Sequence, residues 1–194
     1  MKFRTLLFMA LLLATYAQSQ TRWNLDASHS NVKFTVTYTG VAEMDGKFNS
    51  FHGTILSSKE DFTDAQIEFT VDVASIDTDN EKRDEHLRSD DFFNAEKYPK
   101  MTFRSTSFRK TGDRTYVLEG DLTIRDVTKR VKFDVTYGGT TLDARGNTRA
   151  GFVARSTINR FDYNLKWNKV VENVAVVGDQ VQIRVNVTFV KATG

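Results

Sequence analysis

The sequence predicts an all-β fold, in which eight antiparallel strands close into one barrel and a single short helix lies between residues 75 and 100. Two observations lead to this prediction. Apolar and polar residues alternate with a period of two in eight separate segments, which is typical of strands with one buried face. Most of these segments are joined by short connections rich in turn residues, as between antiparallel neighbours. Closure buries the apolar face and removes exposed sheet edges.

The eight segments are spread over the chain from residue 31 onward. They cover residues 31–38, 46–57, 65–73, 101–104, 115–124, 131–137, 149–158 and 181–189. The second segment is the least regular, and we expect an irregularity near Gly53. Turn residues at 110–113, at Gly138 and Gly139, and at Gly146 predict hairpins. The same pattern also fits a two-sheet sandwich, in which the apolar stripe would be ordinary core.

Two longer segments lack this alternation. In the first, Thr78 and Glu81 have the spacing of a capping box, and residues 81–89 can form a short helix. Pro99 should end that segment before the next strand begins. The second segment, residues 159–178, is rich in aromatic residues and valine. We expect both segments to cover a barrel mouth, where the candidate site residues are Arg83, His86, Phe92, Phe93 and Trp167.

The N-terminus has the features of a secretory signal. A basic head is followed by the short apolar run 6–14 and then by small residues, which predicts a signal peptide over residues 1–19. Cleavage after Ala17 or after Ser19 fits this pattern, and Ser19 is favoured. Residues 20–194 then form a single domain, exported to the periplasm or secreted.

Composition excludes several functional classes. The chain has no cysteine, which excludes thiolate chemistry and cysteine-based metal sites. Lys2 and Arg4 leave with the signal, so that 25 basic residues balance 25 acidic residues. A neutral domain lacks the basic footprint of a nucleic-acid-binding protein.

Few residues support catalysis or metal binding. His29, His52 and His86 lie on different segments without the tight spacing of a metal site, so no metal and no cofactor are predicted. The sequence contains neither a Gly-x-Ser-x-Gly elbow nor a glycine-rich phosphate loop. We therefore predict that the protein is not an enzyme. The alternative is an enzyme that uses polar mouth residues such as Arg83 and His86.

The apolar stripe is the largest feature and is unusually aromatic. An eight-stranded barrel is just wide enough to be filled by side chains or to hold one slender ligand, and an apolar lumen favours a lipid-like chain. The residues predicted to line this pore are Phe34, Val36, Phe69, Val71, Phe103, Leu118, Leu122, Phe133, Val135, Phe152, Val185 and Val187. The stripe would face outward in an outer-membrane barrel. Dense charge on the opposite face argues against that alternative.

Several motifs, in order along the chain, resemble the YceI-like family. They are DASHSNVKF at 26–34, GKFNSFHG at 46–53, SIDT at 75–78, RDEHLRS at 83–89, DFF at 91–93, YPKMTF at 98–103, GDLTI at 120–124 and INR at 158–160. The resemblance covers nearly all of the chain after the signal. It is more specific than any single short motif.

The resemblance implies a lipocalin-like, extended eight-stranded barrel that is exported to the periplasm. It implies a hydrophobic pore that binds a polyisoprenoid or a similar amphiphile for carriage or storage, without catalysis. Dimers occur in this family, so a homodimer is among the expected forms. The sequence departs from the family at Asp126 and near Asn164, where glycine is usual, and at Arg130, where proline is common.

Overall fold

The fold is described from a computed structural model, which defines residues 20–171 and 174–193. The expected signal peptide, residues 1–19, lies outside the described residues and stays a prediction. The strands are β1 (Thr21–Leu25), β2 (Asn31–Tyr38), β3 (Ala42–Phe48), β4 (Phe51–Ser57), β5 (Gln66–Asp72), β6 (Ile76–Asp77), β7 (Lys100–Lys110), β8 (Thr115–Ile124), β9 (Val127–Leu142), β10 (Thr148–Asn159), β11 (Val170–Val171), β12 (Val174–Ala175) and β13 (Val177–Lys191). The helix is α1 (Glu81–Arg88).

The sheet closes into an antiparallel barrel. Hydrogen-bonded neighbours follow the order β1–β4–β5–β7–β8–β9–β10–β13, and β13 returns to pair with β1. Trp23 pairs with Lys191 on one side and with Ile55 on the other, which completes the ring. The predicted eight-stranded barrel is therefore confirmed, and the two-sheet sandwich is wrong.

Three of the eight long strands are interrupted. A single turn at Ala27–His29 separates β1 from β2, and a turn at Val73–Ser75 separates β5 from β6. The strand made of β3 and β4 breaks at residues 49–50, where the Ser50 hydroxyl donates to Asp72. The irregularity expected near Gly53 is thus misplaced. Gly53 lies within β4 opposite Phe69, and a Cβ there would come within 2.7 Å of the Phe69 ring.

Two local expectations about turns and caps are wrong. Strand β9 continues through Gly138 and Gly139, because the extra residue is absorbed by a bulge opposite β10, and the chain reverses later, near Gly146. Helix α1 forms where predicted, but its N-cap is Asn80, whose side chain accepts from the backbone N of Arg83 at 3.1 Å. Thr78 is buried beneath the helix and binds Asp84 instead.

The two ends of the barrel differ. At one end, Phe62 in the β4–β5 loop is only 2 % exposed and packs against Trp23, Tyr137 and Phe152 with ring centroids 5.2, 5.7 and 5.2 Å away. These rings close that end. The other end, the mouth, is bordered by α1 with residues 89–99 and by residues 160–171 and 174–177. No helix within the described part of the chain is long and apolar enough to cross a membrane.

Candidate functional site

The barrel encloses a cavity of about 170 Å³ between its inner faces. Lys33 and Thr102 are the polar residues on a wall that is otherwise aliphatic and aromatic. The structure places eleven of the twelve predicted pore residues on this wall: Phe34, Phe69, Val71, Phe103, Leu118, Leu122, Phe133, Val135, Phe152, Val185 and Val187. Their contact with a ligand stays a prediction.

A second cavity of about 190 Å³ lies at the mouth. Val36, predicted as a pore residue, lies on its wall and not on that of the inner cavity, because β2 rises past the inner cavity at this point. Phe34 borders both cavities. Phe34 therefore lies at the boundary between the inner cavity and the mouth cavity.

An aromatic cluster forms one wall of the mouth cavity. His86 makes edge contacts with Phe92 and with Trp167, with centroids 5.1 Å apart in each pair, and Phe92 lies 5.3 Å from Trp167. The Nε2 of His86 is 2.8 Å from Asp91 Oδ2, which orients the imidazole. The sequence placed these residues at the mouth, although it did not indicate that they touch.

The fifth mouth candidate, Phe93, is not on that wall. Its ring packs edge-on against Phe48 at 6.0 Å, at the margin of the core. Arg83 lines the mouth cavity, but its guanidinium is held by Thr78, with Nε donating to Oγ1 and Nη2 to the carbonyl oxygen at 2.7 Å each. The mouth is thus mainly apolar and aromatic, with one histidine–aspartate pair at its edge.

Arg160 is a structural residue that the sequence analysis missed. It is 2 % exposed, and its guanidinium donates to the carbonyl oxygens of Leu165, Trp167, Val177 and Gly178 at 2.6, 2.7, 3.1 and 2.8 Å. Burial lowers the pKa of this guanidinium. Leu165 and Trp167 belong to the segment that borders the mouth, whereas Val177 and Gly178 begin β13. Arg160, directly after β10, therefore ties that segment to the start of β13.

Arg125 joins the two segments around the mouth. Its Nη1 donates to the carbonyl oxygens of Phe92 at 2.6 Å and of Asn164 at 3.1 Å. Asn164 adopts a left-handed conformation with φ of 61°, and its Nδ2 donates to Asp126 Oδ1 at 3.2 Å. This hydrogen bond lowers the pKa of Asp126. Two positions at which the sequence departs from the YceI-like pattern are therefore in contact.

The titratable groups near the mouth give little support for catalysis or metal binding. Burial raises the pKa of Tyr163 to about 12, so that this phenol, which is neutral at pH 7 in any case, is even harder to ionise. The remaining histidines lie elsewhere, with His29 bound to Asp26 at 2.8 Å beside β1. Among the described residues, no group of three or more histidine, aspartate or glutamate side chains is arranged to hold a metal ion.

Comparison with known proteins places the chain in a family. The model of the YceI-like domain matches residues 23–189, which include all of the barrel except two residues at each end and both segments around the mouth. The chain belongs to the YceI-like family. The protein named YceI of Escherichia coli O157:H7 is 38% identical over 141 residues, or 73% of each chain. A UPF0312 protein of Pectobacterium atrosepticum is 37% identical over 144 residues, or 74% of each chain.

Solved structures share the YceI-like fold. BcnA of Burkholderia cenocepacia aligns with a TM-score of 0.74 and 24% identity, covering 87% of this chain and 99% of that one. A domain from Saccharophagus degradans, described as polyisoprenoid-binding, aligns with a TM-score of 0.68 and 15% identity, covering 88% and 98%. At these identities the likeness concerns the fold.

Proposed function

We propose that this YceI-like protein binds a polyisoprenoid or a similar long-chain amphiphilic lipid inside its barrel, for carriage, storage or sequestration in the periplasm. The observation that carries this proposal is an apolar inner cavity that meets a second apolar cavity at the mouth, with Phe34 between them. The relative from Saccharophagus degradans, which is described as polyisoprenoid-binding, supports it. The homodimer implied by the family resemblance is a further proposal.

The energetics favour an apolar chain over water in the inner cavity. An apolar wall offers water few hydrogen-bond partners, and each buried methylene group contributes about 0.8 kcal/mol. Ten buried carbons would contribute roughly 8 kcal/mol before the cost of association. A slender, flexible chain fits this wall better than a polar or bulky ligand.

The size of the inner cavity sets a condition on binding. A cavity of about 170 Å³ is comparable to an engineered cavity of about 150 Å³ that holds one benzene. A long chain therefore has to occupy both cavities, which requires the Phe34 ring to move away from the boundary between them. We infer that the chain enters through the mouth and that its polar end stays near His86.

The two alternatives fit the geometry less well. The outer wall carries exposed ion pairs such as Arg104–Glu68 and Arg130–Asp121, where a membrane-spanning barrel has an apolar band. Of the mouth residues considered for catalysis, Arg83 binds the hydroxyl and carbonyl oxygens of Thr78, and His86 binds Asp91. The family comparison favours a binding protein over an enzyme.

Titration with defined probes tests the proposal. Native mass spectrometry would follow binding of a long prenyl alcohol, with a short prenyl alcohol as the control of equal head group. We expect one long-chain molecule per barrel and much weaker binding of the short one, because fewer methylene groups are buried. Equal binding of both, or binding of neither, would contradict the proposal.

A further inference from the structure

A single phenylalanine from a loop closes the barrel at the end opposite the mouth. Phe62 is the apolar residue of the loop at 58–64, whose other members are polar. Its φ of 59° lies in the left-handed region, which is unfavourable for a bulky side chain. The ring is nevertheless only 2 % exposed, because this backbone conformation turns it into the barrel.

Hydrogen bonds hold this loop in one conformation. The carboxylate of Asp64 accepts from the backbone N of Ser58 at 2.8 Å and from its hydroxyl, which closes the loop on itself. The hydroxyl of Tyr116 on β8 donates to the carbonyl oxygen of Asp61 at 2.9 Å, which ties the loop to the barrel wall. Phe62, the residue after Asp61, is therefore fixed in place before any ligand arrives.

The Phe62 ring lies between two layers of aromatic side chains. At its closed end, the inner cavity is lined by the rings of Phe108, Phe152 and Phe189. A cleft on the outside of the barrel is lined by Trp23, Tyr116 and Tyr137, together with charged residues. The centroid of the Phe62 ring is 5.2 Å from that of Phe152 in the inner layer and 5.2 Å from that of Trp23 in the outer layer. Phe62 thus supports Phe152 from behind.

We propose that Phe62 sets the longest apolar chain that the barrel accommodates, by holding the Phe152 ring as the floor of the inner cavity. The inference rests on the proposed function, since it concerns a chain whose apolar end reaches this floor. Phe62 lies behind the floor and acts through Phe152, so it is a positioning residue and not a ligand contact.

A fixed floor makes affinity depend on chain length in a characteristic way. Each methylene group that enters the barrel strengthens binding by about fourfold. Once the end of the chain meets the floor, further carbons stay outside the barrel and add little. The affinity should therefore rise with chain length and then reach a plateau, and the length at which the plateau begins measures the depth of the barrel.

A series of prenyl alcohols, each one prenyl unit longer than the last, tests the proposal on the parent and on Phe62→Ala. Loss of a large side chain can open a space that holds a benzene-sized group, so the plateau of the variant should begin about one prenyl unit later. In the variant, that additional unit should strengthen binding at least about tenfold, whereas in the parent it should change binding by less than about twofold. Native mass spectrometry gives both ratios.

A variant of the inner cavity should move the plateau in the opposite direction. Val187 lies opposite Phe152 on the neighbouring strand and lines the inner cavity. A phenylalanine in its place raises the floor, so the plateau of Val187→Phe should begin at a shorter alcohol than in the parent. If Phe62→Ala does not fold, Phe62→Leu replaces it, with a smaller shift towards longer alcohols.

Ile76→Ala is the control for a general loss of stability. Ile76 is also 2 % exposed but lies on β6, away from the closed end. Its truncation destabilises the core without changing the floor, so the plateau should begin at the same alcohol as in the parent.

The results separate the floor from the proposed function. If the parent binds no alcohol of the series, the proposed function is wrong and the inference about Phe62 is wrong with it. If the parent shows a plateau that neither the Phe62 variant nor Val187→Phe moves, lipid binding stands and the role of Phe62 is wrong. A shift in Ile76→Ala as large as that in the Phe62 variant would also overturn the inference, because the shift would then reflect lost stability.

Discussion

The Phe34 ring lies directly over Gly46, its partner on the neighbouring strand, so closely that a Cβ at residue 46 would overlap the ring. This contact holds the ring at the boundary between the inner cavity and the mouth cavity. The missing side chain at Gly46 therefore leaves the space that the Phe34 ring occupies at this boundary.

Gly46→Ala should destabilise the fold. The new methyl group displaces the Phe34 ring, and overpacking of this kind costs about 1–3 kcal/mol. Urea denaturation of the single variant and of the double variant with Phe34→Leu would measure the effect. The smaller side chain should relieve the overlap, so that the two changes are non-additive by at least about 0.5 kcal/mol.

A control for this pair is Gly151→Ala on β10, where an added Cβ meets no atom within 4 Å. It should change stability by less than about 0.5 kcal/mol. If the losses in the free energy of unfolding caused by Gly46→Ala and Phe34→Leu were strictly additive, the position of the Phe34 ring would not depend on the glycine.

Ala154→Phe should block the inner cavity. Ala154 lines that cavity, and a phenylalanine there would fill much of its volume. We expect binding of a long prenyl alcohol, measured by native mass spectrometry, to weaken at least about tenfold, since each excluded methylene group removes about 0.8 kcal/mol.

Val153→Phe is the matched control for that variant. Val153 is the preceding residue on the same strand and points to the outer face, because successive side chains alternate. Its variant should bind like the parent. Unchanged binding by Ala154→Phe would place the ligand outside the inner cavity.

Arg160→Met should loosen the segment that borders the mouth. The substitution removes the donors to four carbonyl oxygens. Each buried acceptor that is left without a partner costs up to about 3 kcal/mol. Allowing for relaxation, we expect a loss of about 3 kcal/mol in the free energy of unfolding. Hydrogen exchange should accelerate in residues 163–171 and not in β7 or β8.

Arg160→Lys separates charge from geometry. A lysine keeps the charge but cannot reach four acceptors with a planar fork, so exchange in the segment should still be faster than in the parent. Parent-like exchange in both variants would mean that the segment is held by other contacts.

Stability should fall in acid through a carboxylate pair at the closed end. Hydrogen bonds from Ser28, Arg149 and His29 hold the pKa of Asp26 well below its ordinary value of 3.8, and Arg149 with Asn147 does the same for Asp143. A lowered folded-state pKa stabilises the fold above the unfolded-state pKa, and this stability is lost as the pH falls towards the folded-state value. The urea concentration at the midpoint of unfolding should therefore decrease as the pH is lowered from about 5 to about 2.

Arg149→Met should make that fall shallower, because the arginine contacts both carboxylates. Arg130→Met is the control, since Arg130 pairs with the half-exposed Asp121 on the outer wall. An identical pH dependence in the parent and in Arg149→Met would contradict the linkage.

Most of the long strands were predictable, because the alternation of apolar and polar residues indicates directly which face of a strand is buried. Strand β1 was missed, since Thr21–Leu25 is short and its partner strands lie far away in the sequence. The closed end was missed for a related reason. Phe62 sits in an otherwise polar loop with a positive φ of 59°, and it is buried by its contacts with Trp23, Tyr137 and Phe152 on strands distant in sequence.

The residues that line the inner cavity were predictable, but the presence of a second cavity at the mouth was not. Inward-facing residues follow from strand periodicity, whereas the division at Phe34 depends on the register that places it opposite Gly46. The anchoring role of Arg160 was not predicted, because its partners are backbone carbonyl oxygens, which no side-chain pattern reveals. An arginine in the INR motif, at the end of a strand, was the available hint.

Mass spectrometry of organic extracts tests most directly whether the barrel encloses a lipid chain. The protein would be purified without detergent from its native host, beside Ala154→Phe prepared in the same way. We expect a long-chain amphiphile in the extract of the parent and its strong depletion in the variant. Repeated absence of any such molecule from folded parent protein would contradict the account.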